Sequence, residues 1–167
     1  MAADATPPEA VSDQPVEKVR WGFIGAGDVT EVKSGPAFAR VPSSSVSVIM
    51  RRDAEKARDY AARHGVQRWT TDARAVVEAD DVDAVYVATP PSSHAEYVKL
   101  AAEAGKPVYV EKPMARTAAE GEEMLAACRA TGVPLYVAYY RRALPRFEFV
   151  RDLIQGGSLG TPTMVNL

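Results

Sequence analysis

The sequence has a single cysteine, Cys128, and little excess charge of either sign. One cysteine excludes a disulfide within the chain and is typical of proteins from a reducing compartment. The net charge of −2 and the lack of Lys/Arg clusters argue against nucleic acid or a membrane surface as a partner. No apolar run is long enough to cross a membrane. We therefore expect a cytoplasmic protein that binds no nucleic acid, no membrane and no metal.

The first residues offer little to a folded core. Residues 1–17 are acidic and rich in proline and alanine, and they lack the basic start and apolar centre of a secretory signal. Because this segment has little apolar surface to bury, we expect it to be a disordered tail.

From Val19 onward, short apolar runs alternate with helical segments. Runs that are apolar at nearly every position are typical of parallel strands buried on both faces. Asp53, Ser93 and Thr117 are candidate N-caps, the last two in capping boxes. The alternation predicts an α/β fold, a Rossmann-like doubly wound parallel sheet with helices on both faces. The predicted strands are 19–24, 45–50, 83–88, 107–110 and 134–139.

A last helix is predicted over residues 145–155. Phe147, Val150 and Ile154 lie on one face of it, and we expect that face to belong to the core. Cys128 is expected in the core or at its boundary, and His64, at a helix end before Gly65, is expected to be exposed.

The segment after the first strand has the start of a dinucleotide fingerprint. Ligands of open α/β sheets bind outside the carboxyl ends of the strands. In Gly25-Ala26-Gly27-Asp28-Val29, Gly25 permits a tight turn and Gly27 lets a pyrophosphate approach the next helix. Thr30, which stands at the place of the third glycine or alanine, would space that helix from the strand. The alternative is an ordinary glycine turn, and the position between strand and helix favours the dinucleotide.

The second strand is followed by Arg51 and Arg52, where a user of NAD has an acidic residue for its ribose hydroxyls. A guanidinium cannot accept a hydrogen bond from a hydroxyl, but it binds a phosphate through two donors. The pair therefore favours NADP over NAD. A solvated arginine pair is one alternative, and an arginine stacked on adenine, which serves NAD as well, is another.

Two later strands end in stiff polar segments. In ATPPSSH, Pro90 ends the strand and His94 lies in the first turn of the next helix, where it could contact a ligand or have a structural role. Glu111-Lys112-Pro113 directly follows another strand. Lys112 could orient a hydroxyl or polarise a carbonyl, and Glu111 could hold a cofactor or the lysine. The alternative for this pair is an exposed turn.

These motifs, in this order and spacing, resemble the Gfo/Idh/MocA oxidoreductase family, which includes glucose–fructose oxidoreductase and inositol dehydrogenase. The resemblance covers Val19 to Leu167 and is carried by GFIGAGDVTEVKSGPAF, ATPPSSH, VYVEKPMA and YYRRALPRF. It implies an NAD(P)-binding Rossmann domain, which we place over residues 18–140. Residues 141–167 would begin a second, incomplete α+β domain for substrate binding and oligomerisation.

The resemblance also implies a chemistry: hydride transfer between NAD or NADP and a sugar, polyol or related hydroxyl or carbonyl compound. It gives Lys112 the family's catalytic role, implies a cis peptide before Pro113, and puts Arg141 and Arg142 near the substrate. The full-length protein would be a homo-oligomer. Cofactor contacts are expected at Gly25, Gly27, Asp28, Val29, Arg51, Arg52, Thr89, Pro90, His94 and Glu111.

The chain departs from the family pattern at Thr30 and Arg51, and it ends before the histidine and aspartate that family members have in their second domain. We therefore expect an N-terminal fragment that binds a dinucleotide weakly and is inactive alone. A non-catalytic dinucleotide-binding module, a sensor or partner protein, is the alternative. A methyltransferase would not account for Glu111-Lys112-Pro113.

Overall fold

The computed structural model of the chain describes residues 17–164. Its centre is a parallel sheet of six strands in the order β3-β2-β1-β4-β5-β6. Residues 1–16 of the predicted tail lie outside the described residues. So do residues 165–167, the last three of the predicted second-domain segment. The strands are β1 (Val19–Ile24), β2 (Ser44–Met50), β3 (Arg68–Thr70), β4 (Ala84–Val87), β5 (Val108–Val110) and β6 (Leu135–Val137).

Five strands confirm the predicted runs, and β3 is the one that the sequence pattern missed. It has only three residues and is largely exposed at the sheet edge, so no apolar run marks it. The helices are α1 (Asp28–Val32), α2 (Gly35–Arg40), α3 (Ala54–His64), α4 (Ala73–Val77), α5 (His94–Glu103), α6 (Ala118–Thr131) and α7 (Pro145–Gln155), with 3₁₀ turns at Pro91–Ser93 and Tyr140–Ala143.

Helices cover both faces of the sheet, which confirms the doubly wound fold. Neighbouring strand residues point to opposite faces. Phe23 therefore packs in one core cluster with Tyr60 of α3, while Ile24 belongs to a second cluster with Val98 of α5 and Met124 of α6. Cys128 is buried in the second cluster, as expected.

Two of the three predicted caps are confirmed. The Asp53 carboxylate accepts from Lys56 N at 3.1 Å, and the Thr117 hydroxyl accepts from Glu120 N at 3.2 Å. The capping box at Ser93 is wrong. A 3₁₀ turn precedes α5, and the Ser93 hydroxyl lies instead 2.9 Å from Thr89 Oγ1 and 3.1 Å from Pro90 O.

The segment after β1 forms two short helices. Thr30 is fully buried at the third fingerprint position, and its hydroxyl folds back to donate to Gly27 O at 2.8 Å. The two helices are separated at Ser34, and α2 starts at Gly35, where its backbone lies against that of α1. A Cβ on Gly35 would lie 1.9 Å from Thr30 O, so this close approach requires glycine.

The prediction that α7 has a core-facing side is wrong. Phe147, Val150 and Ile154 are 40%, 49% and 45% exposed. The apolar spacing makes the helix amphipathic, but within residues 17–164 its main neighbour is the 3₁₀ turn Tyr140–Ala143, which is too small to cover that face. None of the helices in the described part combines the length and apolarity that a membrane crossing requires.

Candidate functional site

The carboxyl ends of four neighbouring strands bring the predicted motifs together. We call the segments that follow β1, β2, β4 and β5 the carboxyl edge. Gly25 N donates to Met50 O at 3.0 Å, Ala88 N to Ile24 O at 2.8 Å, and Glu111 N to Val87 O at 2.9 Å. These bonds extend the ladders past the strand ends, so Arg51, Gly25, Thr89 and Glu111 follow one another along the edge in the order β2, β1, β4 and β5. All four lie at the carboxyl edge, as predicted.

The two glycines of the turn have different surroundings. Gly25 has φ +99°, and a Cβ there would lie 2.8 Å from the backbone of Ala88 and Thr89. It is therefore required by the packing of the protein itself. A Cβ on Gly27 would meet no protein atom within 4 Å. The space beside Gly27 is open, as the approach of a ligand phosphate needs.

A cleft of about 200 Å³ lies at this edge. Arg51 borders it and is tied to the glycine turn, since its Nη1 donates to Ala26 O at 2.7 Å. Arg52 is exposed beside it, while Asp28 and Val29 lie in α1, exposed and half-buried. Met50 and Tyr97 also line the cleft and were missed; Tyr97 is a single aromatic within a helix, which no motif marks. The lining residues are Gly25, Ala26, Gly27, Met50, Arg51, Arg52, Ala88, Thr89, Pro90, Ser93 and Tyr97.

His94 lies behind the loop that contains Thr89 and Pro90. Its ring is fully buried, with Nε2 2.8 Å from Thr89 O and Nδ1 3.0 Å from Pro113 O. Both neighbours are acceptors, so the ring can only donate to them, and a neutral ring has one N–H for the two. The histidine thus connects the loop after β4 with the loop after β5.

The loop after β5 contains Glu111, Lys112 and Pro113, and its Lys112–Pro113 peptide is cis, as the resemblance implies. The Glu111 carboxylate accepts from the Tyr86 hydroxyl at 2.6 Å and from Lys112 N at 3.2 Å. Tyr86 and its further neighbour Ser34 were missed by the sequence reasoning, because a tyrosine within a buried strand has the appearance of core. The Lys112 side chain is exposed.

Arg141 and Arg142 lie in the 3₁₀ turn Tyr140–Ala143, where both are exposed. Neither borders the cleft. In the part of the chain that the structure describes, no group of three or more His, Cys, Asp or Glu side chains is placed to hold a metal ion.

Charged side chains clamp α1, which follows the glycine turn, to α3. The Glu31 carboxylate pairs with the Arg63 guanidinium and lies 2.8 Å from His64 Nε2. The Arg63 hydrogen bond is the main cause that lowers the pKa of Glu31 to about 2. Tyr60, stacked on His64, donates to Thr30 O at 3.1 Å. His64 is exposed, as expected, although it has a partner.

Known proteins are similar to this chain in sequence. Oxidoreductase P35 of Formosa agariphila is 44% identical over 143 residues, which are 86% of this chain and 44% of that protein. D-xylose 1-dehydrogenase [NADP(+)] of Haloarcula marismortui is 33% identical over 95% of this chain and 44% of its own length. The chain thus spans less than half the length of these relatives. None of them favours a non-catalytic binding module.

Among solved structures, KijD10, a 3-ketoreductase from Actinomadura kijaniata in complex with NADP, superposes with a TM-score of 0.78 at 32% identity. The match covers 86% of this chain and 45% of that one. The family model GFO_IDH_MocA, described as an oxidoreductase family with an NAD-binding Rossmann fold, matches residues 19–139. The chain therefore belongs to the Gfo/Idh/MocA oxidoreductases and contains their NAD-binding Rossmann domain.

Proposed function

We propose that the chain is the cofactor-binding part of an oxidoreductase that moves hydride between NADP and a sugar, a polyol or a related hydroxyl or carbonyl compound. The observation that carries the proposal is the composition of the carboxyl edge. It joins an open glycine turn, an arginine pair and an exposed lysine within one row of strand ends. Such an edge offers donors for phosphates at one end and a proton-handling group at the other.

The residues at the edge fit a dinucleotide. Gly25, Gly27, Asp28 and Val29 would hold the pyrophosphate, because the space next to Gly27 is open. Thr89 and Pro90 would contact the cofactor from the facing wall of the cleft. Tyr97 adds an aromatic face to this wall. When bound, the nicotinamide supplies the hydride chemistry.

The lysine end of the edge would do the proton work. In the proposed reaction the Lys112 amine takes the proton of the substrate hydroxyl in one direction and returns it in the other. Glu111 would position this loop and contact the cofactor. Arg141 and Arg142 would meet the substrate, and His94 would support the cofactor loop from behind, since both its ring nitrogens face backbone carbonyls.

The arginines support NADP as the preferred cofactor. Solved relatives include complexes with NADP and with NADH, so the family accepts both. In this chain Arg51 uses one donor on Ala26 O, and a guanidinium keeps four others, while Arg52 is exposed at the same rim. Charge-assisted bonds to a 2′-phosphate would favour NADPH over NADH by about tenfold or more.

Titration of nicotinamide fluorescence with the 167-residue chain tests the choice of cofactor. We expect Arg51→Asp to weaken the binding of NADPH and to strengthen the binding of NADH, because a carboxylate accepts hydrogen bonds from ribose hydroxyls and repels a phosphate. Arg40→Asp, at the exposed end of α2, is the control for the change of charge alone. Equal affinities of the wild type for both cofactors would contradict the preference for NADP.

A second titration tests the site itself. Gly27→Ala adds a methyl group that clashes with no protein atom, so we expect the fold to be retained while NADPH binding weakens by about tenfold. Gly121→Ala, which also meets no atom within 4 Å, is the matched control in α6 and leaves binding unchanged. If Gly27→Ala binds NADPH as well as the wild type, the phosphates do not lie at this turn.

A further inference from the structure

A chain of hydrogen bonds runs beneath the carboxyl edge and ends at the lysine loop. The Ser34 hydroxyl, in the break between α1 and α2, lies 2.8 Å from the Tyr86 hydroxyl. Tyr86 donates to Glu111 Oε1 at 2.6 Å, and Glu111 Oε2 accepts from Lys112 N at 3.2 Å. Tyr86, at the centre of this chain, is fully buried in β4.

The direction of these bonds follows from the donors present. An ionised carboxylate only accepts, so Tyr86 gives its one proton to Glu111. The Ser34 hydroxyl can then meet the Tyr86 oxygen only as a donor, and it shares its one proton between that oxygen and Val29 O at 3.2 Å. Burial, and then the Glu111 hydrogen bond, raise the pKa of Tyr86 well above its usual value. The phenol therefore keeps its proton at any physiological pH and remains a donor to Glu111.

The ring that carries this donor is fixed by its neighbours. Phe23 packs edge-on against Tyr86 at 5.1 Å between ring centroids, Phe38 lies at 5.0 Å, and Tyr109 stacks on it at 5.5 Å. A ring packed on several sides holds its hydroxyl in one place. One oxygen of the Glu111 carboxylate is thus held from the core of the domain.

The consequence concerns the neighbouring amine. Both Glu111 oxygens have donors, one from the core and one from the backbone of the loop. Among residues 17–164, Lys112 takes part in none of the ion pairs, although a carboxylate is the residue directly before it. The amine is left exposed at the edge.

We propose that Tyr86 is a positioning residue that holds Glu111 away from Lys112 and so keeps the Lys112 amine available to the substrate. The importance of this role for the reaction rests on the proposed function. Its test does not, because the test measures only the reactivity of the Lys112 amine. Tyr86 does not line the cleft; it acts through Glu111.

Competitive acetylation followed by mass spectrometry measures the availability of the amine, with the exposed Lys33 as internal reference. In Tyr86→Phe the Glu111 carboxylate loses its buried partner and turns to the Lys112 ammonium. We expect acetylation of Lys112 to fall about fivefold, the effect of one exposed ion pair. Tyr109→Phe removes a hydroxyl from the adjacent ring in the same aromatic group and should leave the rate unchanged.

A double-mutant cycle separates this role from a general loosening of the fold. Glu111→Gln cannot form the ion pair, so in its background Tyr86→Phe should have no further effect on Lys112. A fall in acetylation that persists in the Glu111→Gln background overturns the proposal, as does a rate in Tyr86→Phe equal to that of the wild type. If Tyr86→Phe does not fold, Glu111→Gln alone decides: because Glu111 is held off Lys112 in the wild type, removal of its charge should leave Lys112 acetylation unchanged, and a clear rise would overturn the proposal.

NADPH titration of the wild type is run beside the labelling. If the wild type binds no nicotinamide cofactor, the proposed function is wrong, while the acetylation rates still decide the role of Tyr86. If it binds NADPH and Tyr86→Phe leaves Lys112 acetylation unchanged, the proposed function stands and the positioning role is overturned.

Discussion

In the β1–β2 half of the carboxyl edge, main chain packs directly against main chain, whereas in the β4–β5 half buried side chains hold the loops in place. Gly25 brings the first turn to within contact distance of the backbone of Ala88 and Thr89. On the other side, His94 reaches from Thr89 O to Pro113 O, and Tyr86 reaches Glu111. One row of strand ends is thus held together by close backbone packing in one half and by hydrogen bonds from buried side chains in the other.

The difference determines which substitutions each half tolerates. A turn made by close backbone approach is sensitive to any added Cβ but indifferent to the polarity of its neighbours. A loop held by a buried donor is sensitive to the loss of one functional group, because the acceptor that remains loses the hydrogen bond that fixes its position. The two halves should therefore respond to different mutations.

The largest effect is expected from Gly25→Ala in the backbone-built half. The new Cβ meets backbone atoms at 2.8 Å, and φ stays at +99°. We expect the free energy of unfolding in urea to fall by about 3–5 kcal/mol. Gly105→Ala is the matched control: its φ is +71°, but a Cβ there meets nothing within 4 Å, so it should cost only about 1 kcal/mol.

Equal losses for Gly25→Ala and Gly105→Ala would mean that the positive φ alone matters. In that case the close approach of the turn to the β4 loop would not be what shapes this half of the edge.

An intermediate effect is expected from His94 in the side-chain-built half. His94→Ala leaves a cavity in place of a fully buried ring and removes the donor that Thr89 O and Pro113 O share, and should lower the free energy of unfolding by about 3 kcal/mol. Asn keeps a donor near the place of Nδ1, towards Pro113, and Gln keeps one near the place of Nε2, towards Thr89. His94→Asn and His94→Gln should each lower the free energy of unfolding by about 1–2 kcal/mol.

NADPH titration of these two variants distinguishes the loops. Thr89 lines the cleft and Pro113 does not. His94→Asn releases Thr89 and should therefore weaken NADPH binding by about fivefold, because the freed segment must be ordered when the cofactor binds. His94→Gln should weaken NADPH binding less. The reverse order would mean that the histidine serves the lysine loop and not the cofactor loop.

The backbone-built half was also the more predictable one from sequence. Gly25 and Gly27 stand in a fingerprint whose spacing has a direct physical meaning, and the strand ends that surround them follow from continuous apolar runs. Glu111 and Lys112 could be singled out as a charged pair directly after a strand, but the family's catalytic role for Lys112 came only from the resemblance. Tyr86 could not be found at all, since burial in a strand and a role in a hydrogen-bonded chain leave the same mark on the sequence.

The predictions from sequence that were wrong failed because they depended on contacts between distant segments. Ser93 has the residue type of a cap, but the preceding prolines start a 3₁₀ turn that moves its hydroxyl towards Thr89. Val150 and Ile154 have helical spacing in α7, which sets the direction of an apolar face but not whether anything covers it. Local pattern predicts elements, while contacts between distant segments decide what those elements bury.

The smallest effect is expected from an exposed side-chain contact next to the backbone-built half, the clamp between Glu31 and Arg63. Glu31 has its pKa lowered to about 2, mainly by the Arg63 hydrogen bond. A carboxyl group whose pKa is lower in the folded state stabilises the fold above its unfolded pKa, here about 4.5. This contribution is lost as the pH falls through about 2. Because the pair is partly exposed to solvent, we expect Glu31→Gln to lower the free energy of unfolding by only about 1 kcal/mol at pH 6.

Urea unfolding of the wild type and Glu31→Gln at pH 6, 4.5, 3 and 2 measures this difference, which should shrink steadily and vanish near pH 2. Glu122→Gln is the control, since Glu122 is exposed on α6 and forms no ion pair within the described residues. If Glu31→Gln lost as much stability as His94→Ala, or lost it equally at every pH, side-chain contacts would hold both halves alike. The contrast between a backbone-built and a side-chain-built half would then be wrong.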